Sequence, residues 1–496
     1  MIGYEFLLSK IPLRMPPLLC PARITSVTRI EYSDAFLSVP KHVAPLKDAS
    51  ILEHVLFALK HETIQLAILH EVMKIVPVDD IALALEKQPT SANLRKAAYV
   101  WEKANGHDIP LKATSTGGNY VDMFDAREYY TGELWERNAR LRINFNGIGP
   151  YTFCPVVRRN EALEQEGLDI LEELKIWATN PENEQFRERV MNWAYLSETR
   201  DSYAIENEVP SRHKEKAFLE AMAHLKAREP LTENYLVSLQ NVVISRPEGA
   251  EAEFRGHQNW LQRGGRGALA VRYVPPPPTP MLEMMNGLMR MANSASPMPP
   301  LIKAALVSFG FVYLHPFSDG NGRLSRLLAH HSLTYSGALA DVNGNPAILP
   351  LSVAMKKDEK TYLAALESFS KPARELWDVI HIDGSHFDLE FKSSIMVYAS
   401  WSGEYAAQFL TRCARVALEN SLLDEAAYIE AYDTAYKRID DEFDLPDKTI
   451  NLLIQWIQQN NSRMPERRRA AAELILLKPE EITIIEKIVA ESFAAT

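Results

Sequence analysis

Between Ile51 and Val76 the apolar residues of "ASILEHVLFALKHETIQLAILHEVMKIV" recur at spacings of three and four, the pattern of an amphipathic helix or a helix pair. The same period returns in the polar stretch "NEALEQEGLDILEELKIWA" and near the C-terminus at Ile450, Leu453, Ile454 and Ile457, so the chain reads as mainly α. At 496 residues it is long enough for two to four structural units. With 46% hydrophobic and 24% charged residues it has the balance of a folded globular protein. No apolar run reaches the ~18 residues of a membrane span. Lys10 and Arg14 break the apolar N-terminus, which does not read as a signal peptide. Cys20, Cys154 and Cys413 are too scattered for a disulfide framework, and the expectation is a reducing, cytoplasmic setting. A net charge of −11 argues against broad nucleic-acid binding, which depends on neutralising phosphates.

One stretch breaks the helical pattern with turn chemistry. "RGHQNWLQRGGRGALAVRYVPPPPTP" places the turn-rich "QRGGRG" between two short segments and ends in four prolines, which reads as a β-hairpin leaving into an extended linker. Another, "HPFSDGNGR" at 315–323, concentrates an imidazole, a carboxylate, two glycines, an amide and a guanidinium in nine residues. Leu301, Ala304, Ala305, Phe309 and Val312 before it, and Leu324, Leu327, Leu328, His331 and Tyr335 after it, follow helical spacing. The motif is therefore a helix-loop-helix junction, with Pro300 in a first helical turn, Pro316 stopping the first helix, and Asn321 or Ser318 positioned to cap the second.

Glycines at 320 and 322 let backbone N–H groups converge at the positive end of the second helix, forming an anion cradle. Arg323 and Arg326 lie one turn apart and extend it with bidentate donors. Asp319 offers a hard oxygen of the kind that holds magnesium beside phosphates, and His315 can take a proton near neutral pH. Each residue alone has an ordinary explanation as a helix end or a turn former. Together they supply a base, a metal ligand, an oxyanion cradle and cations.

"HPFSDGNGRLSR", His315 to Arg326, resembles the signature of the Fic family, His-Pro-Phe-x-Asp/Glu-Gly-Asn-Gly-Arg-x-x-Arg, at every specified position. The resemblance extends through "RGHQNW", "RYVPPPP" and "AALVSFGFVYLHPF" and implies a Fic-type helical core with a small β-hairpin flap, flanked by helical N- and C-terminal regions. It implies a protein adenylyltransferase that moves AMP from ATP to a hydroxyl of a target protein. His315 would deprotonate the hydroxyl and Asp319 would hold Mg2+. Asn321 and amides near Gly320 and Gly322 would bind the α-phosphate, while Arg323 and Arg326 would hold the β- and γ-phosphates. Phe317 would anchor the loop from beneath. Glycine at 320, where kinase-like and phosphocholine-transferring branches resemble the pattern with alanine, is expected to leave room for the ATP phosphates and favours AMP. Transfer of UMP, phosphoryl or phosphocholine is the rival chemistry, and a non-catalytic nucleotide-binding scaffold the rival from outside catalysis. No P-loop or Gly-x-Gly-x-x-Gly turn supports another nucleotide fold.

"SYAIEN" at 202–207 resembles the family's inhibitory pattern, Ser/Thr-x-x-x-Glu-Gly/Asn. Ser202 and Glu206, four apart, would share one helical face. Glu206 would then pair with Arg326 in the space the γ-phosphate needs. The plain alternative is a surface glutamate. The expected organisation is an N-terminal region over 1–185 for target recognition or dimerisation. A Fic core follows over 186–375, with the inhibitory segment (202–207), flap (257–274) and motif (315–326), and then a C-terminal helical domain over 376–496. His257 to Asn259 and Val271 to Val274 resemble a flap that pairs with the target's main chain, although a structural hairpin would look the same. Trp260 and Tyr273 suit a core as well as a ligand. His330 and His331 lack companions for a zinc site, and "RMPERRRAAAE" reads as a solvated helix face. The partners implied are a target protein, including a second copy of this chain, with homodimerisation left open and neither membrane nor nucleic acid expected.

Overall fold

The computed structural model describes residues 1–33, 35–244, 249–384, 386–469 and 477–494. The chain is mostly helical with few short strands. The run at 51–76 is a helix pair, Ile51–His61 and Leu66–Met73, broken by a short loop. Ser50 opens the first helix with a full capping box, its Oγ accepting from the Glu53 amide while the Glu53 carboxylate accepts from the Ser50 amide. Behind them, Ala92–Asn105 buries Ala97, Tyr99 and Val100 in a core running from Tyr4 to Val156. Sequence reasoning left this third without sheets. Two small three-stranded sheets are present, each mixing a parallel and an antiparallel pairing: Ala22–Thr25 with Leu37–Pro40 and Glu31–Tyr32, and Val121–Asp122 with Ile143–Phe145 and Glu136–Asn138. Strands of two to four residues are too short to display a period of two.

The central core is built around Pro300–Leu314, in which thirteen of fifteen residues are buried. A helix apolar on nearly every side belongs in the middle of a fold. Asn321–Tyr335 packs along it, and Glu184–Ala204, Glu404–Ala417 and Pro278–Asn293 surround the pair. The "QRGGRG" segment is a hairpin as expected, Leu261–Gln262 pairing antiparallel with Val271–Tyr273. The proline run stays extended for three residues and then starts the Pro278–Asn293 helix.

The last 120 residues are not helical throughout. Trp377–Asp383 and His386–Phe391 form an antiparallel hairpin. Its inner face carries Trp377, Val379, Phe387 and Phe391, and Phe387 meets Trp260 of the flap edge-on at 5.6 Å. Further on, Asp447–Gln458 packs Ile450, Leu453, Ile454 and Ile457 with Ile485 and Val489 into a small separate core. Within "RMPERRRAAAE", Arg468 stacks over Trp456 and Arg469 pairs with Glu486, while Ala470 onward lies outside the described residues. Cys154 and Cys413 are buried free thiols. Among the described residues, no helix is long and apolar enough to cross a membrane.

Candidate active site

The motif occupies the junction between the Pro300–Leu314 and Asn321–Tyr335 helices. His315 closes the first helix with φ 51, a left-handed conformation unusual for a residue with a side chain. Its Nδ1 lies 3.2 Å from the Val312 carbonyl. A carbonyl only accepts, so Nδ1 carries the proton and Nε2 keeps its lone pair. Burial pushes the imidazole down to about 4, so it is neutral at pH 7.

Phe317 is fully buried against Phe254 and Phe311. Asn321 holds the loop above it: its Oδ1 accepts from the Phe317 amide at 3.1 Å and its Nδ2 donates to the Phe317 carbonyl at 2.8 Å. The Asn321 side chain therefore serves the loop, and neither it nor Ser318 caps the helix. Gly320 is the N-cap residue, with φ 82. A Cβ on Gly320 would lie 3.2 Å from Ile244 and 3.3 Å from Val243. The expectation that this glycine leaves room for phosphates is thus corrected: its side is filled by apolar carbons, and the left-handed backbone is what requires glycine. The first intrahelical bond runs from the Leu324 amide to the Gly320 carbonyl, so the amides of Asn321, Gly322 and Arg323 precede the helical ladder.

Over those amides stands a carboxylate. A Cβ on Gly322 would meet Glu206 Oε1 at 2.4 Å. Glu206 reaches Arg326 Nη2 at 2.9 Å through Oε1 and Arg323 Nε at 2.7 Å through Oε2. Both arginine side chains are at most 2% exposed. Arg326 also donates to Ser202 Oγ at 2.9 Å and to the Ser202 carbonyl at 2.6 Å. Burial alone would lower the Arg326 guanidinium, but Tyr362 and Glu206 more than offset that and raise it. Glu206 is not on a helical face beside Ser202. The Glu184–Ala204 helix ends first, and Asn207 at φ 59 turns the chain while the Glu208 amide donates to the Tyr203 carbonyl.

Three contacts lay outside the sequence reading. Glu208 pairs with Arg323 at 2.8 Å, Tyr362 stands 3.4 Å from Arg326, and Arg255 lies buried beneath the loop. Arg255 is the first residue of "RGHQNW", and nothing in that stretch marks it as inward-facing. Glu208 follows the left-handed Asn207, which sequence spacing on a helix cannot anticipate. His330 and His331 are packing residues. His330 Nε2 lies 2.9 Å from the buried Glu198, and His331 Nε2 lies 2.7 Å from the Glu229 carbonyl. Tyr273 is buried, and Trp260 packs on the second hairpin.

Asp319 is half-exposed, its Oδ1 accepting from the Gly320 amide at 2.6 Å and lying 3.1 Å from Arg323 Nη2. Among the described residues, no three His, Cys, Asp or Glu side chains cluster as a metal cage. A single accessible carboxylate beside an anion cradle still fits magnesium, which is commonly held by one or two carboxylates together with substrate phosphates and water.

In this helical core two buried guanidiniums converge on one carboxylate over a helix N-terminus, and a buried, neutral imidazole closes the preceding helix. Residues 230–333 match the family model described as Fic/DOC family. It is 27% identical over 197 residues to the protein adenylyltransferase Fic of Nematostella vectensis, covering 35% of this chain and 46% of that one. To the protein of the same name from Drosophila ananassae it is 35% identical over 118 residues, 23% of this chain and 22% of that one. The chain thus spans less than half the length of these relatives. A Fic family protein from Desulfovibrio desulfuricans G20 aligns with TM-score 0.40 at 15% identity, over 62% of this chain and 86% of that chain.

Proposed function

We propose that this protein is an adenylyltransferase that moves AMP from ATP to a serine, threonine or tyrosine hydroxyl of a target protein. The observation that carries the reading is the convergence of Arg323 and Arg326 on one carboxylate above the Gly322 backbone, in the same motif as an imidazole whose Nδ1 carries the proton and whose Nε2 therefore keeps its lone pair. Two guanidiniums this deeply buried suit phosphate oxygens as well as a carboxylate. The relatives that match are named for this activity.

In the proposed reaction the target oxygen attacks the α-phosphorus, the bond to the bridging oxygen breaks, and pyrophosphate leaves. The hydroxyl proton passes to His315 Nε2. The neighbouring triphosphate raises the basicity of the imidazole above its value in the empty site. The amides at the start of the Asn321–Tyr335 helix face the α-phosphate, and the two arginines hold the β- and γ-phosphates. Asp319 is the residue that would hold magnesium, whose contribution when bound is neutralisation of phosphate charge. The flap over 257–274 is proposed to register the target's main chain.

As it stands, Glu206 occupies both arginines, which supports an autoinhibited resting state: the carboxylate neutralises the cations and repels a triphosphate. The test uses ATP labelled at the α-phosphate. Glu206→Gly is expected to raise incorporation into protein at least about tenfold, the equivalent of one lost charge-assisted contact. Adding His315→Ala should remove about 10²–10⁴-fold. Incorporation no faster in Glu206→Gly than in the parent would overturn the inhibitory role. The mass added to the target separates AMP from UMP, phosphoryl or phosphocholine.

A further inference from the structure

Arg255 is 2% exposed and has no role in the site as described so far. Its Nε donates to the His315 carbonyl at 2.8 Å, and one Nη2 donates to the Leu314 carbonyl at 3.4 Å and the Pro276 carbonyl at 2.6 Å. Its Nη1 donates to the His257 carbonyl at 2.9 Å, and its own amide donates to the Pro316 carbonyl at 2.8 Å. One residue thus grips three consecutive carbonyls, 314 to 316, at the point where His315 adopts its left-handed conformation. The same guanidinium reaches His257 and Pro276, which flank the two ends of the hairpin.

Burying a guanidinium is costly, and here burial lowers it to about 10. An apolar side chain would fill the space at less cost, so the contacts must supply something packing does not. What they supply is geometry. A planar fork with five donors can bind several carbonyls in one fixed plane, whereas an ammonium cannot.

We infer that Arg255 is a positioning residue that locks the feet of the hairpin to the backbone of His315, setting where the imidazole stands relative to a target strand laid on the flap. This inference rests on the proposed transferase reading. It assigns no contact with substrate to Arg255.

The test compares Arg255→Lys and Arg255→Met in the Glu206→Gly background by single-turnover AMP transfer, affinity for a fluorescent ATP analogue, and nitrogen-15 histidine spectra. The His315 signal is assigned by its loss in His315→Ala. Arg255→Lys is expected to slow transfer by about a hundredfold, the usual effect of an ångström-scale misplacement, with nucleotide affinity within about threefold of the parent. The His315 resonances should move away from a single Nδ1–H tautomer. Transfer at the parent rate in Arg255→Met would overturn the assignment. So would joint loss of helical signal, nucleotide affinity and transfer in both variants, which marks an ordinary core residue. If the Glu206→Gly parent itself transfers no AMP, the spectra still decide: an unchanged His315 signal in Arg255→Lys rejects the positioning role, whatever becomes of the reaction.

Discussion

At the scale of single residues, the deepest consequence follows from the buried, neutral state of His315. Its folded value of about 4 lies below the usual imidazole range, so the unfolded chain takes up the proton first. Stability from this group is therefore complete above about pH 6.5, declines as pH falls, and levels off below about 4. We expect kcat/KM for ATP in the Glu206→Gly protein, which reports the nucleotide-free imidazole, to hold a plateau well below pH 6.5, where an ordinary imidazole would already be half protonated. A rate–pH profile whose acid limb bends at 6.5 would contradict this. A second prediction concerns Gly320. Alanine there must adopt φ 82 and push Val243 and Ile244 aside, so Gly320→Ala should lose about 1–3 kcal/mol in urea titrations. Sequence reasoning identified the glycine but gave it the wrong reason, because a one-letter pattern cannot distinguish a demand of backbone angle from a demand for empty space. For the arginines, helical spacing correctly put 323 and 326 on one side. Their partners come from a turn 115 to 120 residues earlier in the chain.

At the scale of elements, the helix bearing the proposed inhibitory segment is riveted to the motif helix. Glu198 is buried and lies 2.9 Å from His330, and it accepts from the Ser352 amide and hydroxyl at 2.6 Å each. Glu198→Ala leaves those donors buried without an acceptor and should cost about 3 kcal/mol, measured by chemical denaturation. With Glu184–Ala204 held this way, the part free to respond is the three-residue turn after it. Asn207 is the pivot of that turn, since asparagine tolerates the left-handed region and β-branched residues do not. Asn207→Val should therefore raise AMP incorporation toward the Glu206→Gly level, while Asn207→Gly should leave it at rest. The pattern Ser-x-x-x-Glu-Asn was legible as a motif, yet its last letter has a structural meaning that appears only once the helix is seen to stop at Ala204. The second hairpin was missed for a different reason. "HFDLEF" alternates strictly, but "WDVIHID" breaks the alternation at Val379 and Ile380, and the surrounding helical period dominates.

At the scale of the whole molecule, the largest apolar cluster draws on residues from Ala67 to Ala426. The segment ending the first third enters that cluster through Phe153, which is fully buried. A Cβ on Gly287 would lie 2.6 Å from the Phe153 Cβ, and one on Gly310 would lie 2.7 Å from the tip of its ring, so the residue is pressed against two helix backbones. Beside it the backbone continues into pairing with the far end of the chain: the Cys154 amide donates to the Ala399 carbonyl at 2.7 Å and the Val156 amide to the Trp401 carbonyl at 2.9 Å. Nothing in the sequence marks glycines 287 and 310 as seats for a side chain from the first third. The arrangement limits how the domain can travel. A core excised from its leading third would present the vacancy of one phenylalanine over two bare stretches of peptide, with the Ala399 and Trp401 carbonyls left to water. Such a fragment would need a substitute for one phenyl group before its arginines and imidazole could be held in register.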